Sequence, residues 1–519
     1  MKYITDRYAV YPSVVRANKR TRLTVTATEN IFMFFEGREY TVKINPYDSD
    51  VLDYHSPSHK TVFTVAASGG VLSFEYDFGD EGEYCLEISK EETCIQKLKL
   101  FALCDDLFER RPLKGDFHGH SYRSDGKHDP AALAGYYREN GYDFMTMTDH
   151  NRYFPSNELK EAYSDVKLGF TVINGEEVHT PGSIVHIVHA GGSESVDDIY
   201  FKEPARYENE YKEIEKELPD SVPAQYRTRF AMARWAVRKI HDVGGLAIFA
   251  HPFWRPKGAS SYNVKNDFAR LLLKSGMFDA YELVGGMDVD GVNMSVAMWN
   301  DLRADGLNIS IVGSSDVHTL EGKNFVYHFT VVFAKDNSPE SIIQAVRDGY
   351  SVAVEMSGGE DDREYRCYGS MRLVIYTQFL LGGYFKRTAQ ITAGEGVAMR
   401  RYLIGEEDGE LLSAMHDRAG VFYRRFFGNS VAVYNYYLIG VFDGGQAMRH
   451  DDYRSALCQF VKRLLNHHFR CIIQCACRFI QNQHARIFQK YARNGNSLLL
   501  PARQLDSALA HAGVVSVFQ

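Results

Sequence analysis

The feature that most constrains the fold of this chain is a repeat of short apolar segments and amphipathic helices between residues 115 and 355. The apolar segments include YDFMTMTDH, FTVINGEEV, GGLAIFAHP, FDAYELVGG and LNISIVGSSD, and helical patterns such as DPAALAGYYRENG end at glycine. Alternating strands and helices predict an α/β fold with parallel strands in a barrel or an open sheet. In such folds the active site forms at the carboxyl ends of the strands.

Nearly every strand-like segment ends in a histidine or a carboxylate. A single histidine is most often structural, but a series in phase with the strand ends is hard to explain by packing alone. Neutral imidazoles and carboxylates that meet at one mouth suit zinc, manganese or iron. One residue separates His118 from His120, so on an extended chain their side chains point the same way. The residues at or near these ends are His118, His120, His150, Glu177, His186, His251, Asp316 and His318.

The motifs around these residues, in chain order, resemble those of the PHP family, which is named for its polymerase and histidinol-phosphatase members. They are DFHGHSYRSDG, DFMTMTDHN, NGEEV, VHIV, IFAHP and GSSDVH, and IIQAVRDGYSVA resembles the family's closing helix and strand. The resemblance implies a distorted barrel of seven strands and helices that holds three divalent metal ions (zinc, manganese or iron). The metal ligands that it implies are His118, His120, Asp125, His150, Glu177, His186, His251, Asp316 and His318.

Three of these assignments have alternatives. Asp125 stands where some family members have histidine, so the assignment of ligands to the third metal ion depends on it. Register against the family favours Glu177, as a bridging ligand, over the adjacent Glu176. His186 is better placed than His189, but the two histidines could exchange roles.

Other polar residues near the predicted strand ends are candidates for contact with substrate. Asp316 could also act catalytically by protonating the leaving group, a role that a metal-bound water could fill instead. Arg255 could grip a phosphate with two hydrogen bonds and so assist catalysis, or form a surface ion pair instead. Arg123 has the same two alternatives, and His179 could face the pocket and touch substrate. Glu282 is a candidate to orient a ligand histidine.

A cluster of divalent ions fits one reaction class best, the hydrolysis of a phosphate mono- or diester by a metal-activated hydroxide. A metal-dependent hydrolase of amide or ester bonds, similar to amidohydrolases, is the alternative. A binding protein without catalysis is a third class, but the complete ligand set argues against it. The expected partner is a small phosphorylated substrate or a nucleotide. Bulk binding of nucleic acid is not expected, because the formal net charge is −8.

The length of 519 residues predicts more than one domain. Residues 1–110 contain alternating apolar segments such as RLTVTATENIFMFFEG, and DEGEYCLEI resembles the tyrosine corner of immunoglobulin-like β-sandwiches. We therefore expect an N-terminal β-sandwich-like domain, the barrel over residues 115–355, and a mostly helical C-terminal region over residues 356–519. A homo-oligomer is compatible with this organisation.

Targeting signals are not evident in this sequence. The first residues, MKYITDRYAVYPSVV, lack the apolar core of a signal peptide, and no run reaches the roughly 20 apolar residues of a membrane helix. The eight cysteines are scattered, and the cluster CIIQCAC lies in an apolar helical pattern typical of buried thiols. The expected location is the cytoplasm, with no membrane partner.

Overall fold

Strands fill the first part of the chain, and strands and helices alternate in the part that follows. The structure is a computed structural model that describes residues 7–48, 51–53, 56–57, 61–358 and 363–428. All of them belong to one compact unit. Within the predicted C-terminal region, residues 429–519 lie outside the described residues, and so does the cysteine cluster CIIQCAC.

The strands are β1 (Tyr8–Tyr11), β2 (Val14–Arg16), β3 (Arg20–Ala27), β4 (Glu39–Pro46), β5 (Val51–Asp53), β6 (Ser56–Pro57), β7 (Thr61–Ala66), β8 (Leu72–Asp77), β9 (Gly82–Lys90), β10 (Thr93–Leu103), β11 (Arg111–Asp116), β12 (Phe144–Thr146), β13 (Thr171–Ile173), β14 (Gly175–Val178), β15 (Ile187–Gly191), β16 (Gly245–Phe249), β17 (Ala280–Val284), β18 (Ser310–Gly313), β19 (His328–Ala334), β20 (Ser351–Ser357) and β21 (Glu364–Tyr368).

The α-helices are α1 (Asp105–Phe108), α2 (Pro130–Glu139), α3 (Phe154–Ala162), α4 (Asp197–Lys202), α5 (Pro204–Lys216), α6 (Arg227–Asp242), α7 (Asn266–Lys274), α8 (Val289–Ala304), α9 (Pro339–Arg347), α10 (Met371–Gly382), α11 (Tyr384–Leu403) and α12 (Gly409–Phe427). Among the described helices, none is both long and apolar enough to cross a membrane.

Two larger sheets form most of the N-terminal part, with strand orders β1-β3-β8 and β2-β10-β9-β4-β7, and β5 pairs with β6 in a small two-stranded sheet. Side chains alternate along β4, so that Val42 and Ile44 are buried while their neighbours are partly exposed. One hydrophobic cluster includes these residues together with Leu23 of the other sheet. The Tyr84 hydroxyl donates a hydrogen bond of 2.9 Å to the Asp80 carbonyl, the contact expected of a tyrosine corner. The immunoglobulin-like sandwich itself stays a prediction.

Two further sheets form the central part, with orders β13-β12-β11-β19-β20-β21 and β14-β15-β16-β17-β18. One buried cluster combines side chains from both sheets, including Ile173, Val188, Ile248, Val312 and Val332. The two sheets therefore enclose a common core. The predicted mixture of strands and helices is confirmed, whereas the closed barrel of seven strands and helices stays a prediction.

Strand direction in the central sheets differs in part from the predicted parallel arrangement. The pairs β11–β12, β12–β13, β16–β17 and β17–β18 are parallel, but β15 is antiparallel to both β14 and β16. Only residues 179–186 connect β14 to β15. A parallel crossover needs about a dozen residues or more, so this short connection returns the chain in the opposite direction.

The described C-terminal helices pack against the central part. Gly396 of α11 approaches α2 so closely that a Cβ there would lie 2.2 Å from the backbone nitrogen of Glu139. Beside this contact, the fully buried Glu395 carboxylate accepts a hydrogen bond of 2.8 Å from Nε of Arg138, which is also buried. A close backbone approach and a buried ion pair thus join α11 to α2.

Glu395→Ala should lower the free energy of unfolding by about 3–5 kcal/mol, because Arg138 would lose a carboxylate partner in a buried site. The matched control is Asp417→Ala in α12, which removes an exposed ion pair with Lys167 (3.4 Å) and should cost about 0–1 kcal/mol. Denaturant unfolding of the two variants measures the difference. Equal effects would show that the buried pair does not hold α11 in place.

Candidate metal centre

Strand ends bring the predicted site residues to the place where the two central sheets meet. β11 ends two residues before His118, β12 four residues before His150, and β16 two residues before His251. Isolated parallel bridges pair His150 with Glu177 and Gly119 with Val317, and each bridge joins residues from the two sheets. His186 precedes its strand instead of following it, because β15 is antiparallel and so its start faces the site.

Glu177 lies at the centre of this cluster. Its side chain is fully buried, and imidazole nitrogens of six histidines face its two carboxylate oxygens. The distances to Oε2 are 3.3 Å from His118 Nε2, 3.4 Å from His120 Nε2 and 2.7 Å from His150 Nδ1. The distances to Oε1 are 3.1 Å from His179 Nε2, 2.9 Å from His186 Nδ1 and 3.2 Å from His251 Nε2.

Two more carboxylates complete the cluster. Asp316 Oδ1 lies 3.0 Å from His120 Nε2 and 3.4 Å from His118 Nε2. Asp125 is more exposed, and its oxygens lie 3.4 Å from His150 Nε2 and 3.3 Å from His318 Nε2. The structure thus brings together all nine ligands that the family resemblance implies.

The donor atoms fall into five groups, each with its members within 4.8 Å of one another. Donors bound to one tetrahedral zinc ion at about 2.0–2.1 Å lie about 3.4 Å apart, which is close to the distances in this cluster. Imidazole and carboxylate donors suit zinc, iron and manganese. The groups are His120–Asp125–His150–His318, His118–His251–Asp316, His118–His120–Glu177, His150–Glu177–His179 and Glu177–His186–His251.

Several donor atoms in the cluster are buried without a hydrogen-bond partner. They include Nε2 of His118, Nδ1 of His150, Nδ1 of His186 and Oε2 of Glu177, although His150 Nδ1 lies only 2.7 Å from that oxygen. The contact is close but lacks hydrogen-bond geometry. Buried polar atoms without partners are costly and rare. A divalent cation between them would satisfy both nitrogen and oxygen, so the residues present fit a metal centre.

The acids of the cluster are held in their ionised form. Burial acts to raise the pKa of Glu177, but the facing imidazoles, His118 foremost, pull it well below its ordinary value. Asp316 behaves alike: burial acts to raise its pKa, and His118 and His120 lower it below its usual range. The pKa of His118 is in turn raised, against the effect of burial, by Asp316 and Glu177. The raised pKa of His118 favours a proton that balances the buried anions, and metal binding at His118 would displace that proton.

Residues behind the cluster fix its orientation. Oε2 of Glu282 lies 2.9 Å from Nδ1 of His118, which turns Nε2 of that ring toward Glu177. The Asp149 carboxylate accepts hydrogen bonds from Ser121 N (2.9 Å) and Ser124 Oγ (2.6 Å). The loop that leads to Asp125 is therefore anchored beside His150. The sequence analysis predicted such an orienting role for Glu282.

Asp116 is a supporting residue that sequence reasoning missed. Its buried carboxylate accepts hydrogen bonds from His118 N (3.0 Å), Ser315 N (3.1 Å) and the Tyr137 hydroxyl (2.8 Å). It therefore ties the end of β11 to the loop after β18. The available signal was its position in KGDFHGH, two residues before His118 and in the same alternation.

Glu176 and His189, the two alternatives to predicted ligands, lie away from the cluster. They are opposite residues of β14 and β15, and His189 Nδ1 lies 3.0 Å from Glu176 Oε1. Ser195 Oγ donates to the other oxygen of Glu176 at 2.7 Å. Neighbouring residues of a strand face opposite sides, so Glu177 faces the cluster while Glu176 faces away from it.

The three residues expected to contact substrate differ in their surroundings: two arginines are ion-paired outside the cluster, and His179 lies inside it. Arg255 pairs with Asp288 (Nε to Oδ2, 2.9 Å) and Asp290, and Arg123 pairs with Glu158 (Nε to Oε2, 2.8 Å). In the described part of the chain, neither guanidinium is hydrogen-bonded or ion-paired to the cluster. Their phosphate-binding roles stay predictions. His179 lies inside the cluster, with its ring centroid 3.7 Å from that of His186, so it is equally placed to be a metal ligand.

Comparisons with known proteins find similarity at the level of solved structures only. No protein-family model matches the chain, and no curated protein matches it. A two-domain protein from Bacteroides vulgatus, described as containing a predicted PHP-like metal-dependent phosphoesterase, is 22% identical with a TM-score of 0.33. That match covers 47% of this chain and 65% of the other, which is less than two thirds of its length.

Two further solved structures are similar to part of this chain. One is a candidate metal-dependent phosphoesterase from Bifidobacterium adolescentis (17% identity, 39% of this chain, 87% of the other, TM-score 0.28). Another is an amidohydrolase from Chromobacterium violaceum with bound sulfate and no metal (17% identity, 40% and 88%, TM-score 0.27). These likenesses are too slight to transfer an activity to this chain.

Gly286→Ala should weaken metal binding without removing any ligand. The residue has φ +62°, and a Cβ there would lie 2.9 Å from His251 Cδ2 and 3.1 Å from Asp316 Oδ2. Displacing these side chains should lower zinc affinity by about 10- to 100-fold. Calorimetric titration of chelator-treated protein with zinc measures this affinity. Gly306→Ala is the control, because Gly306 also has positive φ (+85°) but open space around it. Equal affinities in the two variants would contradict the proposed geometry.

Proposed function

We propose that this chain is a metal-dependent phosphoesterase that hydrolyses a phosphate mono- or diester of a small metabolite or a nucleotide. The observation that supports it most is the fully buried Glu177 carboxylate among six imidazoles, with Asp316 and Asp125 beside them. Bound divalent ions supply Lewis acidity that ionises a water molecule and neutralises charge on phosphoryl oxygens. The proposal includes three such ions (zinc, manganese or iron) in a PHP-type barrel.

Each part of the cluster has a distinct task in this proposal. Glu177 would help to hold the ions through both carboxylate oxygens, because each oxygen faces three imidazole nitrogens. His118, held by Glu282, would keep its Nε2 directed at the same place. Asp125 and His318 form the more exposed edge, with side chains 54% and 36% accessible. The buried face would therefore hold metal ions, and substrate would enter at the exposed edge.

Asp316 fits the role of ligand better than that of acid. Its carboxylate lies between His118 and His120. Burial acts to raise its pKa, but these two imidazoles hold it below its usual range, which favours the ionised form. An ionised carboxylate accepts a proton from water instead of donating one to a leaving group. We therefore propose that Asp316 binds metal and orients water, and that the proton for the leaving group comes from solvent at the exposed edge.

A metal-dependent hydrolase of amide or ester bonds is the second candidate. One observation favours it: both arginines that the sequence offers for gripping a phosphate, Arg123 and Arg255, are ion-paired with carboxylates. An amide or ester substrate needs no such cation, because its carbonyl oxygen carries little charge before attack.

A substrate panel with matched variants tests the two candidates. The full chain loaded with zinc, manganese or iron should hydrolyse p-nitrophenyl phosphate or bis-p-nitrophenyl phosphate faster than p-nitroacetanilide. His118→Ala and Asp316→Ala should each lower turnover by more than about 100-fold, since direct ligands matter more than the residues behind them. Both variants should also lose bound metal while circular dichroism stays unchanged.

His241→Ala is the control, because His241 pairs with Asp279 on the surface, away from the cluster. It should retain both metal and turnover. Faster cleavage of the anilide would favour the amidohydrolase alternative. Full turnover in either ligand variant would contradict the assignment of the metal centre.

A further inference from the structure

One cation at the edge of the candidate metal centre differs from its neighbours in its contacts. The cations that line the adjoining groove are mostly ion-paired: Lys202 to Asp198 at 2.7 Å, and Arg206 and Lys239 to Glu210 at 2.9 Å each. Arg123 and Arg255 are also paired with acids, as described above. For Arg152, which is exposed, no carboxylate within ion-pair distance is found among the described residues.

The backbone holds Arg152 close to the metal centre. It is the second residue after His150, and Asn151 between them has φ 53°. The Asn151 amide donates to the Glu177 carbonyl (3.1 Å), and the Arg152 amide donates to the Asp149 carbonyl (3.2 Å). These two hydrogen bonds hold a tight turn, which places the backbone of Arg152 at the rim of the site.

The side chain of Arg152 reaches toward the loop that bears Asp125. Its Nη1 donates to the backbone carbonyl of Arg123, two residues before Asp125. The Asp125 carboxylate in turn faces His150 and His318 at the exposed edge of the cluster. A guanidinium has five N–H donors in a fork that matches phosphate oxygens, and this contact uses one nitrogen.

A groove beside the metal centre is lined in part by Asn151 and Arg152, and none of the nine implied metal ligands is among its lining residues. Its volume is about 840 Å³, and its lining includes Asn151, Arg152, the half-exposed Phe154 and Lys202. The lining is mostly polar and also contains the carboxylates Glu194, Asp198, Glu203 and Asp242. The volume lies within the range of about 300–1,000 Å³ that is usual for small organic ligands. The groove is large enough for the organic part of a phosphorylated metabolite.

We infer that Arg152 contacts the phosphate group of the substrate at the exposed edge of the metal centre, with the leaving group in the groove beside Phe154. This inference rests on the proposed phosphoesterase function and deepens it. Arg123 and Arg255 are neutralised by the acids with which they pair. Arg152 therefore supplies the cation that binds the phosphate.

The test compares four variants of the full chain: Arg152→Ala, Arg152→Gln, Arg255→Ala and Arg123→Ala. Calorimetric titration of the metal-loaded protein with inorganic phosphate gives the Kd, and p-nitrophenyl phosphate hydrolysis gives kcat and KM. Loss of a charged hydrogen-bonding partner should weaken phosphate binding by about 10- to 100-fold in both Arg152 variants. Arg152→Gln keeps an N–H donor on a shorter, uncharged side chain, so comparison with Arg152→Ala separates loss of charge from loss of the whole side chain.

The outcomes distinguish this inference from the proposed function. Unchanged phosphate binding in both Arg152 variants, with a loss in Arg255→Ala or Arg123→Ala, would overturn the role of Arg152 and leave the phosphoesterase proposal standing. Wild-type protein that cleaves no phosphoester would defeat the proposed function. In that case, the phosphate Kd of the Arg152 variants still decides whether this residue binds the anion.

Discussion

The buried Glu177 carboxylate and the imidazoles around it are the interaction on which the rest of the site depends. A carboxylate at this depth is stable only if positive charge or strong donors compensate for lost water. Here histidines face both oxygens of the Glu177 carboxylate, yet several of their nitrogens lack hydrogen-bond geometry toward it. Divalent cations between nitrogen and oxygen would resolve this arrangement. Burial and ligand chemistry therefore point to the same kind of site.

The fold brings these side chains together by joining two sheets at one edge. The bridges His150–Glu177 and Gly119–Val317 connect the ends of strands from different sheets. Asp116 then fixes the loop after β18 to the end of β11. The described C-terminal helices brace this arrangement from outside, where Glu395 of α11 binds Arg138 of α2. The C-terminal helices are therefore part of the scaffold behind the site.

Much of the site could be predicted from the sequence because strand ends and alternation are local properties. The position of histidines at strand ends predicted that they converge, and alternation explains why Glu177 faces the cluster while Glu176 pairs with His189. The partners of Arg123 and Arg255 are distant in sequence, so their ion pairs could not be predicted from local patterns. The antiparallel direction of β15 departs from the general β/α alternation because residues 179–186, which lead into it, form a short connection without a helix.

A crystal structure with anomalous scattering at the absorption edges of zinc, iron and manganese tests the central claim most directly. We predict peaks within about 2.0–2.3 Å of the imidazole nitrogens and carboxylate oxygens around Glu177. One peak should lie on each side of its carboxylate. Well-ordered imidazoles at these positions in protein prepared without chelator, with no anomalous peak among them after exposure to all three metals, would contradict the claim.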